Sequence, residues 1–281
     1  MRTPKHRKEP MTPNFSVPRC TYRRPHFTPT ENSNATPPDH GYNFAMASLR
    51  QKAQKIFLRV RETYGDPAWE KKNSPVDELI STILSQNTND ANRDKAFTAL
   101  RLKYPTWEEA LNAPVKDIIA AIRPAGLGPQ KGPRIRDVLR NIIEARSRIE
   151  LDFLRGRPPD EARSWLVNLP GVGPKTAAIV MLFALDIPAF PVDTHIYRVS
   201  GRLGLRPPRM SADAAHDHLA ALFDPEQYAT AHLNLIRLGR EVCHARKPEC
   251  PVCALRRMCP FFHGISRDAD ARKKRPTRRK P

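Results

Sequence analysis

Apolar residues recur along most of this chain at three- and four-residue spacing, the period of a helix that buries one face. Leu49, Ala53, Ile56, Val60 and Tyr64 form one such stripe, and Val76, Leu79, Ile80, Ile83 and Leu84 a second. Ile118, Ile119 and Ile122 continue the pattern, followed by Ile135, Val138, Leu139 and Ile142. Ala162, Trp165, Leu166 and Leu169 repeat it, as do Leu219, Leu222 and Phe223. Ala177 to Leu185 is apolar throughout and predicts a helix, although it is far short of the ~20 residues a membrane span needs. No stretch alternates with period two between turn signals, so strands are not expected. The predicted fold class is all-α.

Both ends of the chain break the pattern. Residues 1–45 hold eight prolines among Arg, Thr and Asn without hydrophobic periodicity, which predicts a disordered basic arm. Residues 264–281 close on Arg272, Lys273, Lys274, Arg275, Arg278, Arg279 and Lys280, a basic tail also expected to be disordered. The arm carries seven Lys/Arg against three acids and the tail eight against two, so +9 of the formal +19 stays on the part between. A folded body this basic expects a polyanionic partner such as nucleic acid. No apolar stretch follows the positive N-terminal residues, so neither a secretory signal nor a membrane partner is expected, and the expected location is cytoplasmic, nucleoid-associated. Four of the five cysteines crowd into seventeen residues, which in a reducing compartment points to metal ligation before disulfides.

Leu169-Pro-Gly-Val-Gly-Pro-Lys-Thr-Ala177 joins two predicted helices. Pro174 suits the first turn of the second, where a missing N–H costs nothing. Gly171 and Gly173 allow a sharp turn and close approach to another surface. Open N–H groups at a helix start suit a phosphate, so Gly171, Val172 and Gly173 are candidate contacts with a DNA backbone. Lys175 lies in that first turn, against the positive end of the helix dipole, where the neutral and nucleophilic amine is favoured. Asp193 precedes a helix predicted from Thr194 to about Leu203. An N-cap is the ordinary role for such an aspartate, as a phosphate contact is for such a lysine.

Cys243-x6-Cys250-x2-Cys253-x5-Cys259 offers four thiolates from one short loop. Thiolate chemistry alone suits either a zinc ion or an iron–sulfur cluster, although zinc sites usually show two close pairs and here only one pair is close.

On these residues the segment from about Ser81 to Phe262 resembles the endonuclease III family of the helix-hairpin-helix DNA glycosylase superfamily. Leu169–Ala177 is similar to that family's hairpin, lysine included, Val192–His195 to its catalytic aspartate motif, and the cysteine spacing to its cluster loop. The resemblance implies one 4Fe-4S cluster on Cys243, Cys250, Cys253 and Cys259, with Arg246 and Lys247 of that loop presented to phosphates. It implies a monomer acting on double-stranded DNA that contains damaged bases or abasic sites. Lys175 would attack C1′ of a damaged nucleoside, the family default being an oxidised pyrimidine, while Asp193 accepts a proton or stabilises the cationic sugar. The Schiff base would then permit β-elimination and strand nicking.

The damaged base must leave the duplex for such chemistry, and the gap must be filled. The resemblance points to Gln86 or Asn87 as filler, an ungapped alignment favouring Asn87, and to Leu127 as a wedge into the opposite strand. Asp90 falls on an acidic family position near the pocket, or caps a helix. Two helical domains with a DNA groove between them are implied: a barrel over 70–187, and a cluster domain made of 46–69 with 188–263. Two other functions suit the same scaffold. A monofunctional uracil or thymine mismatch glycosylase is disfavoured by Lys175, and a non-catalytic DNA-binding or redox-sensing protein by Lys175 together with Asp193.

Overall fold

The computed structural model describes residues 39–67 and 73–264. Among them are eleven α-helices and no strand: α1 Asp39–Tyr64, α2 Pro75–Leu84, α3 Asp90–Lys103, α4 Trp107–Asn112, α5 Val115–Ala121, α6 Gly128–Arg146, α7 Pro159–Val167, α8 Pro174–Ala184, α9 Thr194–Arg202, α10 Ala212–Ala220 and α11 Tyr228–Glu241. The all-α expectation holds. The basic tail and the arm up to residue 38 lie outside the described residues. Composition extends the arm to residue 45, yet α1 already begins at Asp39. Once the Leu49–Tyr64 stripe has nucleated a helix, extending it backward costs little, so the boundary need not show in the apolar pattern.

Local chemistry starts several of these helices. Ser74 and Asp77 form a reciprocal capping box at α2, and Thr106 and Glu109 another at α4. Asn89, Asp193 and Ser211 cap α3, α9 and α10 through their side chains.

The buried apolar side chains fall into two clusters. The first takes the inward faces of α2 to α8, from Val76 to Ala189. The second takes Ala53, Ile56, Phe57 and Val60 of α1, then residues from Phe190 to Cys259. The chain thus passes from one core to the other at Ala189–Phe190. Helix α8 faces both: Ala177, Val180 and Met181 belong to the first cluster, and Leu182 packs against the second. Phe190 anchors the crossing, its ring stacked on Phe223 at 5.2 Å and edge-on to Tyr228 at 5.6 Å.

Phe190 is 2% exposed. Replacing it with alanine removes a ring from a close-packed core, so Phe190→Ala should cost about 3–5 kcal/mol of unfolding free energy. Urea denaturation of the two proteins measures this, and a loss below about 1 kcal/mol would contradict the packing described.

Candidate active site

The hairpin lies between α7 and α8. Gly171 has φ +71°, a backbone conformation that favours glycine, and a side-chain carbon there would also displace the Arg134 guanidinium. Gly173 is extended and opens to free space. Val172 turns its side chain into the first core, so any contact it makes with a partner is through its main chain. No side chain caps α8, which leaves its first-turn N–H groups for an outside acceptor. Lys175 stands exposed in that turn.

Lys175 and Asp193 line one cleft of about 840 Å³. Helix α2 and the residues after it form one wall through Glu78, Ser81, Thr82 and Ser85–Thr88, with Ile179 and Phe183 of α8 alongside. The second core supplies the other wall through Asp193, Thr194, His195 and the α11 residues His232, Ile236 and Arg240. Asp193 is half-buried, and its Oδ1 accepts the Ile196 N–H at 2.7 Å. The ordinary N-cap role is therefore real, and it fixes the carboxylate at the cleft wall. Among the described residues Oδ2 has no hydrogen-bond partner.

Two further groups shape the field in the cleft. His232 is buried, with Nδ1 3.0 Å from the Pro191 carbonyl and its ring 5.6 Å from Phe183. Burial lowers its pKa to about 4, against the opposing pull of Asp193 and the Pro191 bond, with Lys175 adding to the lowering. The ring is thus neutral near pH 7, and the nitrogen that faces the carbonyl carries the proton. Asp90 lines the cleft too, bonded to Arg240 at 2.7 Å and to Arg93 at 3.2 Å. Burial would raise its pKa, but the Arg240 bond and the charges of Arg240, Arg93 and Lys175 outweigh burial and hold it below the ordinary value. The capping alternative for Asp90 falls to Asn89, whose Oδ1 accepts the Asn92 N–H at 2.9 Å.

Of the expected gap fillers, Gln86 and Asn87 both line the cleft, in different states. The Gln86 Oε1 accepts a bond from Arg134 at 2.8 Å, whereas Asn87 is exposed on left-handed backbone at φ +53°. Leu127 is 40% exposed, also left-handed at φ +51°, and stands just before α6. It is not among the residues that line the cleft.

The four cysteines, all free thiols, line one apolar cavity with Val199, Leu203 and Phe261. Burial pushes the Cys250 and Cys253 thiols up. Among the described residues, no three His, Cys, Asp or Glu side chains converge as one metal ion requires. Helix α9 grips the loop: Arg202 Nη1 reaches the His244 carbonyl at 2.6 Å and Cys243 Sγ at 3.3 Å, and Arg198 Nε reaches the Cys243 carbonyl at 3.0 Å. Arg246 and Lys247 are exposed on this loop, Lys247 at φ +51°. His232, Arg93, Arg134 and Arg240 carry no signal in the sequence, because each acquires its place only from tertiary packing.

Residues 80–225 match a family described as HhH-GPD superfamily base excision DNA repair protein. An Arabidopsis thaliana protein named as a putative DNA glycosylase is 38% identical over 190 residues, 64% of each chain. Endonuclease III of Thermotoga maritima is 35% identical over 196 residues, 70% of this chain and 87% of the other. A solved structure described as a trapped endonuclease III–DNA covalent intermediate superposes with a TM-score of 0.68 at 30% identity, covering 77% of this chain and 98% of that one. The chain belongs to the HhH-GPD superfamily of base excision DNA repair proteins, and within it to the endonuclease III family.

His232 makes stability depend on pH. The unfolded chain takes up this proton near pH 6.5 and the folded chain only near 4. Its contribution is therefore fully present above pH 6.5 and is lost as pH falls toward 4, by on the order of 3 kcal/mol. Urea unfolding at about pH 7 and about pH 4.5 should show a smaller drop in His232→Gln than in the parent protein.

Proposed function

We propose that this chain is a DNA glycosylase with abasic-site lyase activity, acting as a monomer on double-stranded DNA with damaged bases. The observation that carries the reading is the opening of Lys175 and Asp193 into one cleft, beside a helix start free to take a phosphate. Among the cationic side chains of that cleft, Arg93 and Arg240 are paired with Asp90, while Lys175 has no carboxylate partner among the described residues. A paired amine would be occupied; this one is available to a substrate.

In the proposed reaction the Lys175 Nζ lone pair forms a bond to C1′ of the extruded nucleoside. The glycosidic C–N bond breaks, its electron pair leaves with the base, and the base takes up a proton. Asp193 stabilises the positive charge on the sugar and accepts the proton lost by the attacking amine. Ring opening gives a Schiff base between Nζ and C1′. Loss of a C2′ proton then expels the 3′ phosphate by β-elimination, which nicks the strand. A solved structure described as a trapped endonuclease III–DNA covalent intermediate supports a covalent step in this reading. Oxidised pyrimidines are the proposed substrate class. The exposed Gly171–Gly173 turn, Arg246 and Lys247 hold the backbone on either side of the cleft, and Asn87, free where Gln86 is tied, fills the gap.

Four thiols around one apolar cavity, with no carboxylate or imidazole among the donors, fit a 4Fe-4S cluster held by Cys243, Cys250, Cys253 and Cys259. With all four ligands from protein it offers no site to substrate. Its work is to fold a loop that has little core of its own and to present Arg246 and Lys247.

Borohydride reduction during reaction with thymine-glycol duplex should trap a protein–DNA adduct, and Lys175→Ala should lose it completely. Asp193→Asn should still bind the duplex while base release slows about 10²- to 10⁴-fold. Base release without any adduct in the parent protein would instead favour the monofunctional reading. Purified protein should contain iron and acid-labile sulfide in equal amounts, and Cys250→Ser should lower both and weaken duplex binding. Zinc in place of iron would sink the cluster assignment.

A further inference from the structure

Lys131 lies in the first turn of α6 and is 1% exposed. Its ammonium donates to the Leu84 carbonyl at 2.8 Å and to the Ala125 carbonyl at 2.8 Å. No carboxylate pairs with it among the described residues. Burial lowers its pKa. Both carbonyls are at helix ends: Leu84 closes α2, and Ala125 closes the short 3-10 turn Arg123–Ala125. A helix terminus carries partial negative charge on carbonyls that lack an intrahelical donor, so one cation here serves two termini.

Each of these carbonyls leads directly into a loop that carries an exposed side chain, Asn87 in the first and Leu127 in the second. Ser85, Gln86 and Asn87 come directly after Leu84, and Gly126 and Leu127 directly after Ala125. Asn87 and Leu127 both sit on left-handed backbone, which asparagine tolerates but which a leucine keeps only where its surroundings impose it. Leu127 is held from the other side as well, since its carbonyl accepts the Lys131 N–H at 2.9 Å. One side chain therefore fixes the base of both loops, with their anchoring carbonyls no farther apart than its two hydrogen bonds laid end to end. One turn further along α6, Arg134 holds Gln86 and lies against Gly171 of the hairpin.

The geometry points to Lys131 as a positioning residue for base extrusion: it sets the spacing between the gap-filling loop at 85–88 and the wedge loop at 125–128. This role rests on the chain being a glycosylase. Satisfying two buried carbonyls would not need a charge, because an amide or a water could do it. A cation reaching two helix ends from one atom resists their separation, and loops that must enter a base stack together need that resistance. A misplacement of about 1 Å at such a point can cost on the order of 10²-fold in rate.

Lys131→Met and Lys131→Gln test this, with thymine glycol as probe. The base is placed either in a fully paired duplex or opposite a tetrahydrofuran abasic analogue, which carries no C1′ aldehyde for the lyase step and leaves little stacking to oppose extrusion, and 2-aminopurine beside it reports unstacking. For Lys131→Met, single-turnover excision from the paired duplex should fall about tenfold or more with a smaller fluorescence rise. Excision opposite the abasic analogue should change less than about threefold, and duplex affinity less than about twofold. Lys131→Gln, which keeps an amide donor, should recover part of the loss and carries the comparison should the methionine variant not fold. Equal slowing on both substrates, no slowing on either, or failure of both variants to fold overturns the assignment, since a purely structural lysine would then suffice. Failure of the parent protein to release thymine glycol from either substrate strikes instead at the glycosylase reading.

Discussion

The site depends on a single constraint: α8 must be immovable along its length and open at its start. Its body, Ala-Ala-Ile-Val-Met-Leu-Phe-Ala, has no charged position, and Ala177, Val180 and Met181 are completely buried. A helix buried this fully cannot shift without opening cavities against α2 and α7. Its start is the reverse case, uncapped, with Lys175 exposed and Gly171 and Gly173 turning the chain just before it. Rigid packing and an unsatisfied terminus are usually at odds, and here they occupy opposite ends of one helix. Lys175 inherits the rigidity of one end and the openness of the other.

Helix α9 is the complementary anchor on the second core. Asp193 starts it, and the arginines one and two turns further along, Arg198 and Arg202, bind the carbonyls of the cysteine loop. Gly239 lets α11 approach closely, since a side-chain carbon there would lie 2.9 Å from the His195 Cβ. Order in the cysteine loop is thereby linked mechanically to the position of the Asp193 carboxylate. A site at the loop that never touches substrate can still bear on the reaction through the helix they share.

Much of the architecture is legible in the sequence because it is local. The 3.6-residue period locates the helical segments, Asp193 before Thr-His-Ile reads as a cap, and the glycine-turned corner with its lysine reads as a hairpin. The four cysteines need only counting. Contacts over long separations are not legible. Nothing in the order of residues couples Asp90 to Arg240, and His232 looks like any residue of an apolar stripe until α11 is set against Pro191. Lys131, in a run of Gly, Pro and Gln, has the sequence environment of a surface lysine, and only tertiary packing buries it. Leu127 between glycines carries a local signal of exposure, and its 40% exposure and left-handed backbone agree with that.

Charge placement separates the lysine proposed as nucleophile from the one proposed to position the loops. Both stand in the first turn of a helix, Lys131 as the fourth residue of α6 and Lys175 as the second of α8. Lys131 points into the protein, where two carbonyls accept two of its three N–H donors. Lys175 points into a cleft whose arginines are already paired with Asp90 and whose buried His232 is held neutral, so neither the arginines nor that ring compete with it for Asp193 or an incoming phosphate. An arginine in either place would not serve: it could not act as a neutral nucleophile at 175, and its planar fork would not fit two carbonyl ends converging on one atom at 131. What divides the two lysines is whether the amine's acceptors are built in or left for a ligand to bring.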